Sequence, residues 1–151
     1  MRTIIGLMAG LTLFAGCAAP PPSVKELLVG TWTCSIDQGP QHLVDVHTYG
    51  ADGKMKAENK VTQAALGMTA ETSITYSGEW TLKNGDKDLD ETTTEAKIGY
   101  IKVNGQDSPV QPQDEADVKT VIGKTRSSHI KSLDKAKLVL EDSVRETTCT
   151  R

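Results

Sequence analysis

Apolar and polar positions alternate along most of this chain. In Gly30-Thr31-Trp32-Thr33-Cys34-Ser35-Ile36, Trp32, Cys34 and Ile36 fall at every second place and hydroxyl residues fill the places between. Successive side chains of a strand point to opposite faces, so this run predicts a strand with one apolar and one hydroxyl face. Ile74-Thr75-Tyr76-Ser77-Gly78-Glu79-Trp80-Thr81-Leu82 repeats the pattern, with every even position apolar or glycine and every odd position polar. Further strands are predicted over 43–49, 54–62, 73–82, 89–98, 99–103, 126–133, 136–140 and 143–150. Asp52-Gly53, Asn84-Gly85 and Asn104-Gly105 are hairpin-forming pairs, and 132–135 and 141–142 read as the later turns. Helix is sparse: 24–29 fits one turn, and Asp114 is placed to cap a short helix over 115–122, with Val118, Val121 and Ile122 as its apolar stripe and Gly123 as its stop. About eight or nine short strands joined in sequence predict an all-β fold, a small antiparallel up-and-down β-barrel with one short helix before the closing strands.

A different pattern precedes the first strand. Residues 4–14 are an apolar run without charge, following Arg2. At about eleven residues the run is too short for a helix that must cross a bilayer with about 20, and it has the character of a signal-peptide hydrophobic region. It ends in Leu13-Phe14-Ala15-Gly16-Cys17, which resembles the bacterial lipobox. That resemblance implies cleavage before Cys17, acylation of its thiol and a stable membrane anchor, since two or three acyl chains hold where one does not. The alternative is an ordinary secretory signal cut near Ala18 or Ala19. By resemblance to proteobacterial lipoproteins, Ala18, not being aspartate, implies transport to the outer membrane, with the domain facing the periplasm. Pro20-Pro21-Pro22 favours an extended tether. The chain thus divides into a signal peptide (1–16), a lipidated cysteine and proline tether (17–23) and one barrel domain (24–151).

Composition narrows the partners. The formal charge is −3 with no basic block, which argues against nucleic acid and against anionic headgroups; the expected membrane link is the lipid itself. One Phe, two Trp and three Tyr give any internal cavity only a thin aromatic lining. With Cys17 acylated, Cys34 and Cys149 remain, and an even pair in an oxidising compartment is expected to form a disulfide tying the first strand to the last; two buried free thiols are the alternative.

The candidate chemistry is thin. His42, Asp45 and His47 lie close together, but His42 has the opposite parity and no third ligand is evident, so they read as a solvated strand face and not as a metal site. Asp86, Asp88, Asp90, Glu91 and Glu95 are interspersed with Lys83, Lys87 and Lys97, the composition of a solvated hairpin. Ser127 and Ser128 lack a Gly-x-Ser-x-Gly setting. The expectation is a protein that is not an enzyme and needs no cofactor.

Leu28-x-Gly30-x-Trp32 resembles the opening of lipocalins and related calycin barrels, in which an Arg or Lys of the last strand packs across the first-strand Trp; Arg145 and Arg151 both lie in the predicted last strand. The resemblance implies a lipocalin-like barrel. Cysteine register leads to the same contact: if Cys34 opposes Cys149 in antiparallel strands, Trp32 lies opposite Arg151 and Ile36 opposite Thr147, with Arg145 as the competing choice. Two functions follow. One is a barrel interior, floored by Trp32 and lined by Tyr76 and Trp80, with Arg151 at its closed end, that binds a small apolar or amphipathic ligand. The other is a protein–protein module, lysozyme-inhibitor-like or an accessory envelope subunit, acting through the loops at 38–42 or 108–113.

Overall fold

A computed structural model describes residues 20–151. The signal peptide and Cys17 lie outside the described residues. Ser23 caps the short helix α1 (Val24–Leu28): its hydroxyl oxygen accepts the Glu26 N–H, and its own backbone N–H donates to Glu26 Oε2. Then come β1 (Gly30–Gln38), β2 (Gln41–Tyr49), β3 (Lys54–Ala65), β4 (Met68–Lys83), β5 (Asp88–Val103), β6 (Gln106–Ser108), α2 (Pro112–Lys119), β7 (Thr125–Leu133), β8 (Lys137–Glu141) and β9 (Glu146–Thr150).

Each strand pairs antiparallel with its sequence neighbour, β5 passes to β7, and β9 returns to β1, closing an eight-stranded up-and-down barrel with β6 as an extra strand on β5. The closure is the one that cysteine register predicts. Cys34 and Cys149 are disulfide-bonded and directly opposed, and Thr33 pairs with Thr150. Arg151 therefore follows onto Trp32, its guanidinium carbon 4.0 Å from the ring centroid. Arg151 Nη2 also donates to the carbonyls of Val29, at 2.8 Å, and Leu27. Arg145, the competing choice, is not in the last strand. It belongs to the β8–β9 turn, where Asp142 Oδ1 accepts the N–H groups of Val144 and Arg145 and shortens the expected strand 143–150 to β9.

Three other elements differ from expectation. The runs 89–98 and 99–103 are one strand, β5, because a bulge opposite Ser73 and Ile74 leaves Gly99 unpaired without ending the ladder. A second bulge, at Ser77/Gly78, brings the strands so close that a Cβ on Gly78 would lie 2.1 Å from the Thr92 carbonyl oxygen, so only glycine fits. The gap left between 62 and 73 is filled by continuous strands joined at Leu66-Gly67, both at positive φ. Leucine is a rare turn residue, and nothing in its type announces the hairpin. Lastly, α2 starts at Pro112 after Gln111, whose N–H donates to Asp114 Oδ2 at 2.8 Å; Asp114 is the third helical residue and not the cap. No residue of α2 is buried, so the expected stripe of Val118, Val121 and Ile122 does not dock a helix into the core.

Leu28, Trp32, Tyr49, Met55, Trp80, Leu89, Leu138 and the disulfide fill the closed end of the barrel, above α1. Both indole N–H groups are satisfied there, Trp32 donating to the Leu28 carbonyl at 2.8 Å and Trp80 to that of Gly50 at 3.0 Å.

Candidate functional site

The other half of the barrel has a different lining. The β1–β2 hairpin turns at Gly39-Pro40 and sets Trp32 against His47 and Cys34 against Asp45. Cross-strand partners share a face, so His47 and Asp45 point inward with Trp32 and Cys34, and Val44 and Val46 point outward. On β5, Glu91 pairs with Trp80 on one side and Arg126 on the other, and it too points inward. The expected solvated faces are thus corrected for these three residues: Glu91 is 4% exposed, Asp45 9%, and the His47 side chain 14%.

A buried polar cluster results. Glu91 Oε1 accepts from the Tyr49 hydroxyl at 2.9 Å and faces His47 Nδ1 at 3.0 Å. Asn59 Nδ2 donates to Asp45 Oδ1 at 2.5 Å. Arg126, at the rim, donates to Asp142 Oδ2 at 2.9 Å. Burial alone opposes ionisation of both members of the His47–Glu91 pair. It is outweighed at His47 by the hydrogen bond and charge of Glu91, aided by Asp45, and the imidazole is held above its usual range. At Glu91 the hydrogen bond and charge of His47, the Tyr49 hydroxyl and Arg126 outweigh it, and the carboxyl is held below its usual range. Asp45 goes the other way. Its burial is the dominant influence and raises it, against His47, Arg126, Asn59 and Arg145.

Above this cluster the barrel opens into a cleft of about 390 Å³. Met55, Ala57, Tyr76 and Val121 supply apolar wall, and Asp45, His47, Asn59, Glu91 and Arg126 supply polar wall, with Thr93, Lys124 and Thr125 completing the lining. Val121, just past the end of α2, is the one residue of the expected helical stripe that lines the cleft.

Of the residues expected to meet a ligand, Tyr76 alone lines this cleft. Trp80 is 3% exposed and packs edge-on to Tyr49, 5.7 Å between centroids; Trp32 is fully buried beneath Arg151 at the closed end. His42 is exposed and pairs with Asp37 at 2.7 Å, away from His47 as its parity requires. No group of three potential metal ligands occurs among the described residues. The residue types of Asp45, His47 and Glu91 by themselves point to solvent. The signal that places the first two is the two-residue Gly39-Pro40 turn, which fixes the hairpin register and so carries Trp32's face onto His47.

No known family model matches the chain, and no curated protein matches it.

Proposed function

We propose that this chain is a lipoprotein of the bacterial envelope, anchored through Cys17 in the outer membrane and facing the periplasm, whose barrel mouth binds a small amphipathic ligand without transforming it. One observation carries the ligand reading: a cleft of about 390 Å³ in which an apolar wall of Met55, Ala57, Tyr76 and Val121 meets a buried set of charged groups. That volume is in the range of small-molecule sites, about 300–1,000 Å³, and the pairing of an apolar wall with a few fixed polar groups is how such sites orient a ligand. The packed Trp32 and Trp80 end limits the ligand to the upper half of the barrel. Native mass spectrometry of the protein purified from its own envelope tests this. A ligand adduct is expected in the wild type and its loss in Ala57→Trp, which fills the cleft; an adduct of equal occupancy in both would place binding elsewhere. The anchor is tested separately: Cys17→Ser is expected to leave the membrane fraction and to lack acyl mass, and a variant that still pelleted with membranes would remove the lipoprotein reading.

A second reading, a protein–protein module, has its own support. Residues 63–70, the β3–β4 tip, are exposed and uncharged, with Leu66 at its apex 99% exposed and Met68 54%. Exposed apolar side chains gathered at one tip favour a partner contact. In the same mass spectra a protein partner would appear as a far larger added mass, lost in Leu66→Asp and kept in Ala57→Trp.

A further inference from the structure

Asp45 is the acidic group of the cleft that has no cation of its own. Glu91 faces His47, and the carboxylate beyond the rim, Asp142, holds Arg126; Asp45 has a single side-chain partner, the neutral amide of Asn59. It is nevertheless nine-tenths buried and forms part of the cleft wall, with Tyr76 on that same wall. A carboxylate withdrawn from water without a counter-charge is costly, and a ligand that supplies the charge recovers that cost on binding.

We infer that the ligand carries a protonated amine on an apolar tail, the ammonium group meeting Asp45 beside Tyr76 and the tail lying along Met55, Ala57 and Val121. This rests on the ligand-binding reading above. Two features suit an ammonium: Asp45 offers acceptor oxygen, and Tyr76, which also lines the cleft, is an aromatic ring of the kind that attracts a cation. The rival is an anionic head on Arg126 or Lys124, both of which line the cleft. The Arg126 guanidinium is already engaged at 2.9 Å by Asp142, Lys124 is exposed to water, and an anion drawn into the cleft would have both Asp45 and Glu91 in its walls. The cations facing Asp45 are His47 on its own strand, Arg126 on β7 and Arg145 on the β8–β9 turn. His47 and Arg126 are each paired to a carboxylate that offsets their repulsion of an ammonium, and Arg145 stands outside the cleft lining. Even with those three cations nearby, burial keeps the Asp45 carboxyl above its ordinary range, the sign of a site that lacks a direct counter-ion.

The test is an NMR titration of the isotope-labelled full chain with three probes of equal chain length: hexylamine, hexanoate and hexan-1-ol. Hexylamine is expected to shift the resonances of Asp45, Ala57 and Tyr76 saturably and to bind at least about tenfold more tightly than either other probe, the range for one hydrogen bond to a charged group. Asp45→Asn, which keeps the shape of the side chain, is expected to weaken hexylamine about tenfold and leave hexan-1-ol unchanged. If hexanoate or hexan-1-ol binds in the cleft as tightly as hexylamine, the amine inference falls and the binding cleft stands. If none of the three perturbs the cleft, both fall.

Discussion

Glu91 and His47 meet across the barrel from positions 44 residues apart in the chain, and the charge of each depends on the other. His47 is held above the ordinary imidazole value of 6.5, so what it adds to stability is fully present below that value and is lost as the pH rises through its folded-state value. Glu91 is held below the ordinary 4.5, so its contribution is present above that value and is lost as the pH falls through the folded-state value. The pair is therefore most stabilising between the two ordinary values. Asp45 has the opposite sign: with its carboxyl raised above 3.8, folding becomes less favourable as the pH climbs through that range. Removing one member of a buried pair leaves the other uncompensated, but His47 is able to shed its proton, which limits the loss. Glu91→Gln is expected to cost about 2–3 kcal/mol near pH 6 and less near pH 9, since the charge on His47 declines as the pH rises. Urea denaturation at the two pH values measures this. An equal loss at both would mean that the Glu91 contribution comes from the Tyr49 hydrogen bond and not from the charge on His47.

Among the elements, the long β3–β4 ribbon has the least support in the sequence. Its tip needs two residues in the left-handed region, and the chain supplies Leu66 at φ 51° before Gly67 at φ 77°. A leucine there carries a steric cost from its Cβ that asparagine largely escapes, while Leu66 itself buries nothing. Leu66→Asn is accordingly expected to raise stability by about 0.5–1 kcal/mol, read as a higher thermal midpoint. A retained apolar apex with a conformational cost fits selection for something other than folding, as the second functional reading requires; a fall in midpoint on substitution would remove that support. Element boundaries are only partly legible for the same reason. Asn84-Gly85 and Asn104-Gly105 name their turns because their residue types favour positive φ, which both pairs adopt. Leu66-Gly67 names nothing until two strands on either side hold it in place, and Gly99 reads as a break until its own strand is seen to bulge there without leaving the ladder.

For the molecule as a whole, closure depends on β9, a five-residue strand at the chain terminus. It is held by its ladders to β1 and β8, by the Cys34–Cys149 bond and by Arg151 over Trp32. The bond joins residues 115 apart, and a cross-link spanning so long a loop restricts the unfolded chain by up to about 4.7 kcal/mol in the chain-entropy view. Replacing both cysteines with serine is expected to destabilise the protein by about 3–4 kcal/mol in denaturant titration and to raise hydrogen exchange first in β9 and β1. A loss under about 1 kcal/mol would show that the ladders and the Trp32–Arg151 contact suffice to close the barrel. The meander, most of its turns and this closure are legible in the sequence, because each depends on local pattern or on counting along two paired strands from one cross-link. Cys34 against Cys149 carries Arg151 onto Trp32 by that counting alone. What faces the lumen of the upper barrel is settled only by how the strands pair. Midway along β2 the apolar pair is Val44 and Val46 and the polar pair is Asp45 and His47, so hydrophobic pattern read there turns the strand the wrong way, although Leu43 and Tyr49 share the inward parity. Pairing with β1 overrides it, since the two hydrogen-bonded strands must put Trp32 and His47 on one face. The buried charge this creates is tolerable only because barrel closure brings Glu91, Tyr49 and Arg126 to the same place, a coincidence of three strands that no single stretch of the chain contains.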